Sequence, residues 1–599
     1  MNILMALSQL EVTGAEVYAV EIGEKLIDRG HDLYFVSDTL TKKNRGKYIP
    51  LAFNKRNIFQ RLDQIIKLIK IIKQNKIDVV HAHSRSSAWS TKIACKLTKT
   101  PFITTVHGMQ HVSKHRKRKQ PIGCGYAVCE NIQRDLIETF DVDPSTIKIL
   151  RNGIDLTKFQ ISTPPKNQKK VISIIGRLSG PKADITFNLL ANSIDLDRYT
   201  VNIIGGKDIP ERFDKFKDRV NFTGYIDNVY EYMTNSDLVI GAGRVAMESL
   251  LMGRPTLAIG EAKEIGMIDA DIVSDALASN FGDVGDRTPH DFDWNFIRSE
   301  IDRGVELKQT PPKVVDFIVE NFDIDKVVDT LEKTYQREWV RIKKYDIPVI
   351  MYHRVIKDID TESGKHGTYV TIDQFRDHMT ILKDGGYIPI TFDDLSQIPI
   401  HQRFEKKYII LTFDDGYIDN YTYAFPILKE FGFKAIIYLV SNRTYNRWDV
   451  DLTDEKTFRM MDLPMLKEMK DSNLIEFGGH TLSHPRLSKL SDSEIKEEVF
   501  KDKENTEKKL NIKLNSFAYP YGDLDDRVKK LVSDAGYPYA VATDSGSYCL
   551  SDDLFEIRRI GIFPTITNFG YKRKISGNYN FIKIKRENKK LSPTSIDIC

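Results

Sequence analysis

Residues 408–421 read YIILTFDDGYIDNY. A short apolar run closed by turn residues reads as a buried strand, and this one ends on two adjacent carboxylates, Asp414 and Asp415, followed by Gly416. The letters TFDD also occur at 391–394, inside YIPITFDDLSQ (387–397), where Asp393 and Asp394 follow another apolar run. At most one pair is expected to carry chemistry. Gly416 suits a tight turn near a bound ligand, whereas Asp393 and Asp394 precede LSQIPI and read as the cap of a short helix after a strand.

Working outward, KYDIPVIMYHRV (344–355) opens a strand-and-helix domain expected over 346–565, and the basic tail 566–599 is expected to be loosely structured. Residues 1–165 alternate apolar runs with amphipathic stretches: NILMAL, AEVYAVEIGEKLIDRG, DLYFVSD, RLDQIIKLIKIIKQNK, DVVHAHS and PFITTVHG. That rhythm predicts a parallel sheet with helices on both faces. After ILRNGIDLTKF and the polar linker QISTPPKNQKK it restarts with VISIIGRLS, YTVNIIGG, SDLVIGAG and PTLAIG, giving a second such domain over 166–342 closed by a helical segment. A cleft between the two is expected. No internal repeat is visible.

Composition narrows the function classes. At 599 residues the chain far exceeds the about 100–200 of a usual domain, so more than one active site is allowed. Lys plus Arg at 88 against Asp plus Glu at 84 leaves +4, which argues against a surface shaped for nucleic acid. The run KHRKRK (114–119) is a local exception, read as a solvated loop or as a contact to phosphates or an anionic membrane. Five cysteines, an odd number without a Cys-x-x-Cys pair, suggest neither a disulfide framework nor a thiolate metal site. The N-terminus has no basic leader, and no apolar run is long enough to span a bilayer. A cytoplasmic protein is expected, with peripheral contact to the inner membrane surface left open. RLDQIIKLIKIIKQNK (61–76) reads as a helix covering a sheet, with a surface-seeking face as the alternative.

Hydrolysis of an amide or ester at neutral pH is served by a metal ion on three protein ligands, with a carboxylate to take a proton from water. TFDDG supplies carboxylates, and FGGHTLSHPRLS (477–488) supplies His480 and His484, whose i, i+4 spacing is expected to put both imidazoles on one side of a helical turn. Together with FAYPYG (517–522), these motifs resemble the polysaccharide deacetylases, carbohydrate esterase family four, over roughly 345–565. The resemblance implies a distorted (β/α) barrel with its site at the strand C-termini. It further implies that Asp414 is the general base, that Asp415, His480 and His484 bind Zn2+ or a similar divalent ion, and that the Tyr521 N–H stabilises the oxyanion. The two aspartates are expected to point in opposite directions from one strand end. Two features depart from the family: Ala518 stands where many members have an Arg, and no histidine follows His484 to serve as general acid. His353, at the end of PVIMYH, is the candidate acid, with a structural histidine as the alternative; Arg559 in EIRRIGI contacts substrate, orients Asp414 or forms a surface ion pair.

In the first half, Gly14 lies between a strand and a helix, where a missing side chain lets a helix N-terminus approach a phosphate. Arg177 and Lys182, after a strand of the second domain, are cations able to clamp a diphosphate, and Glu248, read as beginning a helix, suits ribose hydroxyls. With NGID at 152–155 these resemble the GT-B glycosyltransferases of family four over nearly all of 1–340. The resemblance implies retaining sugar transfer from a UDP- or GDP-sugar to a glycan or lipid-linked acceptor, without a metal cofactor, and places His107 against the transferred sugar. The family's first glutamate, eight positions before Glu248, is here Ile240. The expected fold class is therefore α/β: two Rossmann-like domains (GT-B) followed by a (β/α) barrel deacetylase. The expected function is bifunctional, sugar transfer plus removal of an N-acetyl group, the alternative being an active deacetylase joined to a non-catalytic nucleotide- or glycan-binding module.

Overall fold

The computed structural model describes residues 1–8, 13–54, 57–109, 122–206, 208–226, 228–285, 290–399 and 402–591; the basic run 114–119 and the chain beyond 591 lie outside them. The chain divides into two compact units, Met1–Tyr335 and Gln336–Cys599, the boundary falling in the sequence of the helix Ile324–Lys343.

The first unit holds two sheets. One consists of β1 (Asn2–Ala6), β2 (Asp32–Ser37), β3 (Lys47–Pro50), β4 (Val79–Ala82), β5 (Phe102–Val106), β6 (Cys124–Ala127) and β7 (Ile147–Ile149), all parallel, in the order β3-β2-β1-β4-β5-β6-β7. The other consists of β8 (Val171–Ile175), β9 (Thr200–Ile204), β10 (Asn221–Gly224), β11 (Leu238–Gly241), β12 (Thr256–Ile259) and β13 (Glu264–Met267), in the order β10-β9-β8-β11-β12-β13, antiparallel only at its last pair. In both, the strand order reverses after the first strand, and the crevice outside the strand C-termini at such a point is where open α/β sheets take ligands.

Burial on both faces explains why the central strands read as unbroken apolar runs. In β1, Ile3 and Met5 pack under α1 (Gly14–Asp28), while Leu4 and Ala6 pack under α2 (Ile58–Gln74) and α3 (Arg85–Thr98). Thr13 caps α1 by accepting from the Glu16 N–H at 3.3 Å. The last helix departs from the expected boundary of the second domain. Ile324, Val328, Leu331 and Tyr335 lie in the core of the first sheet with Ile3 and Met5, because the chain crosses back at Asp323. The two crossovers run side by side: the Ile154 N–H donates to the Phe322 carbonyl at 2.7 Å, and the Ile324 N–H donates to the Ile154 carbonyl at 3.2 Å. A Cβ on Gly153 would stand 2.9 Å from the Ile324 Cα, so the glycine of NGID is required by this close approach.

The second unit is a parallel ring. It comprises β14 (Val349–Tyr352), the small pair β15 (Arg354–Ile356) and β16 (Tyr369–Thr371), then β17 (Tyr387–Ile390), β18 (Lys407–Phe413), β19 (Ala435–Leu439), β20 (Ile475–Gly479), β21 (Ser516–Ala518), β22 (Tyr539–Val541) and β23 (Ile560–Gly561). The main sheet runs β22-β21-β20-β19-β18-β14-β23, with β17 beside the start of β18. Ile557 bridges Val541, and Ile560 pairs with Ile350, so the segment leading into β23 closes the ring. Ile410, Ile436, Tyr438, Ala518 and Val541 share one core cluster, while Leu411, Phe413, Ile437 and Phe517 share another. This period-2 split separates the ring's interior from its helix-covered exterior.

The tail is not loose as far as it is described. Helices Asn568–Lys574 and Tyr579–Leu591 follow, and Tyr571 and Ile575 are buried in the exterior core, with the Tyr571 ring stacked 3.8 Å from that of His378. Scattered aromatic and aliphatic residues among lysines are enough to anchor a segment that composition alone marks as solvated.

Candidate active sites

The two TFDD copies do different work. Thr391, not an aspartate, is the N-cap of the helix Phe392–Gln397, and its hydroxyl accepts from the Asp394 N–H while the Asp394 carboxylate accepts from the Thr391 N–H. Asp394 also meets Lys434 at 2.7 Å. That pair of carboxylates is structural.

In the second copy, Thr412 and Asp414 continue the inward set begun by Ile410, and β18 ends at Phe413. Asp415 has φ 74 and Gly416 φ 78, so the chain turns at once and both carboxylates reach the same site instead of pointing apart. Gly416 is needed for this turn and for the nearness of Leu439, whose Cδ2 would stand 2.8 Å from an added Cβ; no ligand is required to explain it.

Asp415, His480 and His484 converge. His480 Nε2 and His484 Nε2 each lie 3.4 Å from Asp415 Oδ1, and all three residues are buried. The segment after β20 is a loop, not the expected helical turn. Thr481 and His484 adopt φ 69 and 65, and the Thr481 hydroxyl accepts from the His484 N–H at 2.9 Å. Two left-handed residues bring the imidazoles together where helical spacing would otherwise do so. The His480 Nδ1–H donates to the Ala518 carbonyl at 2.7 Å, which leaves the Nε2 lone pair facing Asp415. Asp415 Oδ1 is buried without a hydrogen-bond partner. A buried carboxylate oxygen with no donor and two imidazoles aimed at it fit a divalent ion, and nitrogen and oxygen donors suit zinc. Trp448 stacks 4.4 Å from the His484 ring, and Tyr521 meets that ring edge-on at 4.6 Å.

Arg559 is fully buried and belongs to this site, not to a surface ion pair. Its Nη1 donates to Asp414 Oδ1 at 2.6 Å and its Nη2 to Asp414 Oδ2 at 2.7 Å, while Nε donates to the Ala542 carbonyl at 2.7 Å. Burial alone would raise the Asp414 carboxyl, but the guanidinium overrides it and holds the group below the usual carboxylate range. Burial pushes the His484 imidazole down to about 3, against the pull of Asp415. His353 Nε2 lies 3.9 Å from Asp414 Oδ2, and its carbonyl accepts from the Asn420 side-chain amide at 2.7 Å. Tyr521 has φ 59, an unusual value for a bulky residue, held on the rim beside His484. Trp448 and the Asn420 support were missed in the sequence. Asn420 lies in the opening stretch, but neither residue belongs to a recognisable motif.

In the first unit a cleft of about 850 Å³ is lined by Gly14, His107, Arg177, Lys182 and Glu248, so every expected residue of this half reaches one cavity. An added Cβ on Gly14 would meet nothing within 4 Å, which leaves the N-terminus of α1 open to the cleft. Arg177 pairs with Glu261 at 2.6 Å, and Lys182 with Asp283 at 3.0 Å. Glu248 lies in the second turn of the helix Arg244–Leu251 rather than at its start; burial raises its carboxyl, against the attraction of Arg244. Arg244 was missed. Its Nε donates to Glu248 at 2.6 Å, its Nη2 donates to Glu21 of α1 at 2.6 Å, and its Nη1 is buried without a partner. The i, i+4 spacing of Arg244 and Glu248 was the available signal. His107 Nε2 lies 3.3 Å from His83 Nδ1, and burial lowers its imidazole to about 4, so it is neutral at pH 7.

Comparison with known proteins agrees with this division. Residues 12–158 match the family Glycosyltransferase Family 4, and residues 401–540 match the family Polysaccharide deacetylase. An Escherichia coli protein named UDP-Gal:alpha-D-GlcNAc-diphosphoundecaprenol alpha-1,3-galactosyltransferase is 24% identical over 345 residues, 50% of this chain and 86% of its own length. The poly-beta-1,6-N-acetyl-D-glucosamine N-deacetylase of Staphylococcus aureus (strain MRSA252) is 28% identical over 210 residues, 31% of this chain and 69% of its own. Among solved structures, the Streptococcus pyogenes deacetylase PplD in complex with acetate is 27% identical, covering 38% of this chain and 97% of that one with a TM-score of 0.34.

Proposed function

We propose, for a chain that joins a Glycosyltransferase Family 4 domain to a polysaccharide deacetylase domain, that the second unit hydrolyses the N-acetyl amide of a hexosamine residue and the first transfers a sugar from a nucleotide donor. The observation that carries the hydrolase is the Arg559-bound Asp414 beside the buried Asp415, His480 and His484.

Zinc or a similar divalent ion held by those three residues would supply Lewis acidity at the scissile carbonyl and at the attacking water. Asp414 takes the proton that water gives up on attacking the carbonyl carbon. Arg559 keeps that carboxylate ionised and fixes both its oxygens. The Tyr521 N–H donates to the carbonyl oxygen as negative charge develops there. His353, near Asp414 at the rim, delivers a proton to the leaving nitrogen as the C–N bond breaks, freeing acetate and an amine. The deacetylase relative named for poly-beta-1,6-N-acetyl-D-glucosamine supports an N-acetylhexosamine polymer as the substrate class. Release of isotopically labelled acetate from N-acetylhexosamine oligomers by the zinc-loaded protein is the expected result; none from any such oligomer would remove the hydrolase.

In the first unit, the diphosphate of a UDP-sugar would draw Arg177 and Lys182 away from their carboxylate partners and lie against the N-terminus of α1. Glu248 receives the ribose hydroxyls, and neutral His107 contacts the transferred sugar. The acceptor is a glycan or a lipid-linked saccharide, in keeping with the relative named for a diphosphoundecaprenol acceptor, and a cytoplasmic site agrees with a nucleotide-sugar donor. One observation favours a second reading, a module that binds the nucleotide without transfer: Ile240 is wholly buried in β11 where the resembled family carries its first glutamate. Calorimetry with UDP separates the cases. Lys182→Ala is expected to weaken UDP binding at least tenfold, about 1.5–3 kcal/mol for a charged hydrogen bond. Binding that survives intact would remove Lys182 from the site, and binding without transfer to any acceptor would select the second reading.

A further inference from the structure

The helix α2 is only half used by the fold. Gln64, Leu68 and Ile72 are buried against the sheet and α3, whereas Ile58, Phe59, Leu62 and Ile66 are exposed, Phe59 by 79% and Ile66 by 66%. α3 continues this surface with Ile93 and with Leu97, which is 65% exposed. Two contacts set the register between the helices: the Ser90 hydroxyl donates to Gln64 Oε1 at 2.7 Å, and the Arg61 guanidinium lies 5.4 Å from the Trp89 ring. In that register Ile66 and Ile93 fall at nearly the same level of two adjacent helices, both with exposed aliphatic side chains. A contiguous exposed patch of large aliphatic and aromatic side chains is uncommon on a soluble surface and marks contact with something apolar.

The charges around the patch identify the occupant. Lys67, Lys70 and Lys73 of α2 are exposed, as are Lys92 and Lys96 of α3 and Lys99 just beyond it, and Asp63 is the only carboxylate on the two helices. Asp63 is paired with Lys67 at 2.7 Å, which leaves the rest of the face strongly cationic although the whole chain carries only +4. An apolar stripe between basic rows is the arrangement that lies in the headgroup region of a bilayer, apolar side chains in the acyl boundary and ammonium groups on anionic lipid. A protein partner or a second copy would require a carboxylate-rich complement, and the face cannot pair with itself across a two-fold axis without opposing its own lysines.

We infer that the α2–α3 face of the first unit docks on an anionic lipid bilayer. Among the described residues no helix is long and apolar enough to cross a membrane. The inference stands apart from the transferase reading, because it needs neither a donor nor a working cleft.

The test is flotation of the full chain with vesicles of phosphatidylcholine alone and of phosphatidylcholine with phosphatidylglycerol. Binding is expected to the anionic vesicles at low salt and to weaken as salt shortens the screening length. Replacing Lys67, Lys70 and Lys73 with Gln should lower the partition coefficient about a hundredfold, from about fivefold per lysine. Phe59→Ser with Leu62→Ser should lower it at least tenfold. All five positions are solvent-facing, so an unchanged thermal midpoint is the expected control. Absence of binding to anionic vesicles overturns the proposal, as does equal binding by the parent and both variants. A concentration-dependent dimer abolished by Phe59→Ser also overturns it and assigns the face to self-association.

Discussion

Asp414→Asn is expected to reduce acetate release by about 10²–10⁴-fold, the contribution of a positioned general base, with zinc still bound by Asp415, His480 and His484. The substitution keeps the shape but removes the charge that both Arg559 Nη groups address. A buried ion pair broken on one side costs about 3–5 kcal/mol, less if the amide oxygen keeps one of the two hydrogen bonds. Acetate release must therefore be read beside metal content and a thermal midpoint. Loss of turnover with zinc retained identifies Asp414 as the base; loss of zinc as well would make it a ligand. Asp393→Asn is the matched control. Asp393 Oδ1 only accepts from the Asn515 amide at 3.2 Å on an exposed surface, so turnover should stay within about twofold, as for most surface changes. If Asp393→Asn removed zinc and Asp415→Asn did not, the assignment of the two pairs would be reversed.

The second large effect belongs to Arg559→Met. Burial raises the Asp414 carboxyl and Arg559 lowers it, with a net shift downward. A carboxylate whose folded value is depressed contributes stability above its unfolded value, and that stability is lost as pH falls through the folded value. For Asp414 this window lies below the usual carboxylate range, so at neutral pH the parent enzyme keeps both the charge and its stabilising effect. Without the guanidinium, burial is opposed only by His480 and His353, and the carboxyl moves up. The acid limb of the pH–rate profile is then expected to shift to higher pH, with part of the activity recovered under alkaline conditions. Arg559→Lys should restore the position of the limb in part, since it returns a charge but not the two-pronged geometry. A variant with reduced turnover and an unmoved limb would leave Arg559 with a structural role only.

Much of this was legible from residue types and much was not, and the division has a physical basis. β18 was readable because a strand buried on both faces must be apolar throughout, which makes its two terminal carboxylates conspicuous. His480, His484 and Asp415 were readable as chemistry, but the conformation that unites them was not. Nothing in Thr481 or His484 announces a left-handed backbone, which costs energy and is imposed by the surrounding ring. The crossing back at Asp323 was invisible because an amphipathic helix has the same pattern whichever sheet it covers. Tyr571 and Ile575 were hidden among lysines for a similar reason: two anchors suffice to fix a helix that is otherwise polar. Several roles were open to Arg559 in the sequence, since its contact with Asp414 depends on the pairing of Ile557 with Val541.

That last pairing ties catalysis to the order of synthesis. The three candidate zinc ligands and the base all precede β21, whereas the group that keeps the base ionised arrives with the final strand of the ring. At about 5–20 residues per second, a growing chain would present its ligand set on the order of several seconds before Arg559 reached it. During that interval Asp414 lacks its guanidinium partner as well as the part of the ring interior that Val541 and Ile557 supply. On the proposed mechanism the base is fixed in place only by the segment that seals the barrel, so turnover would report a completed fold.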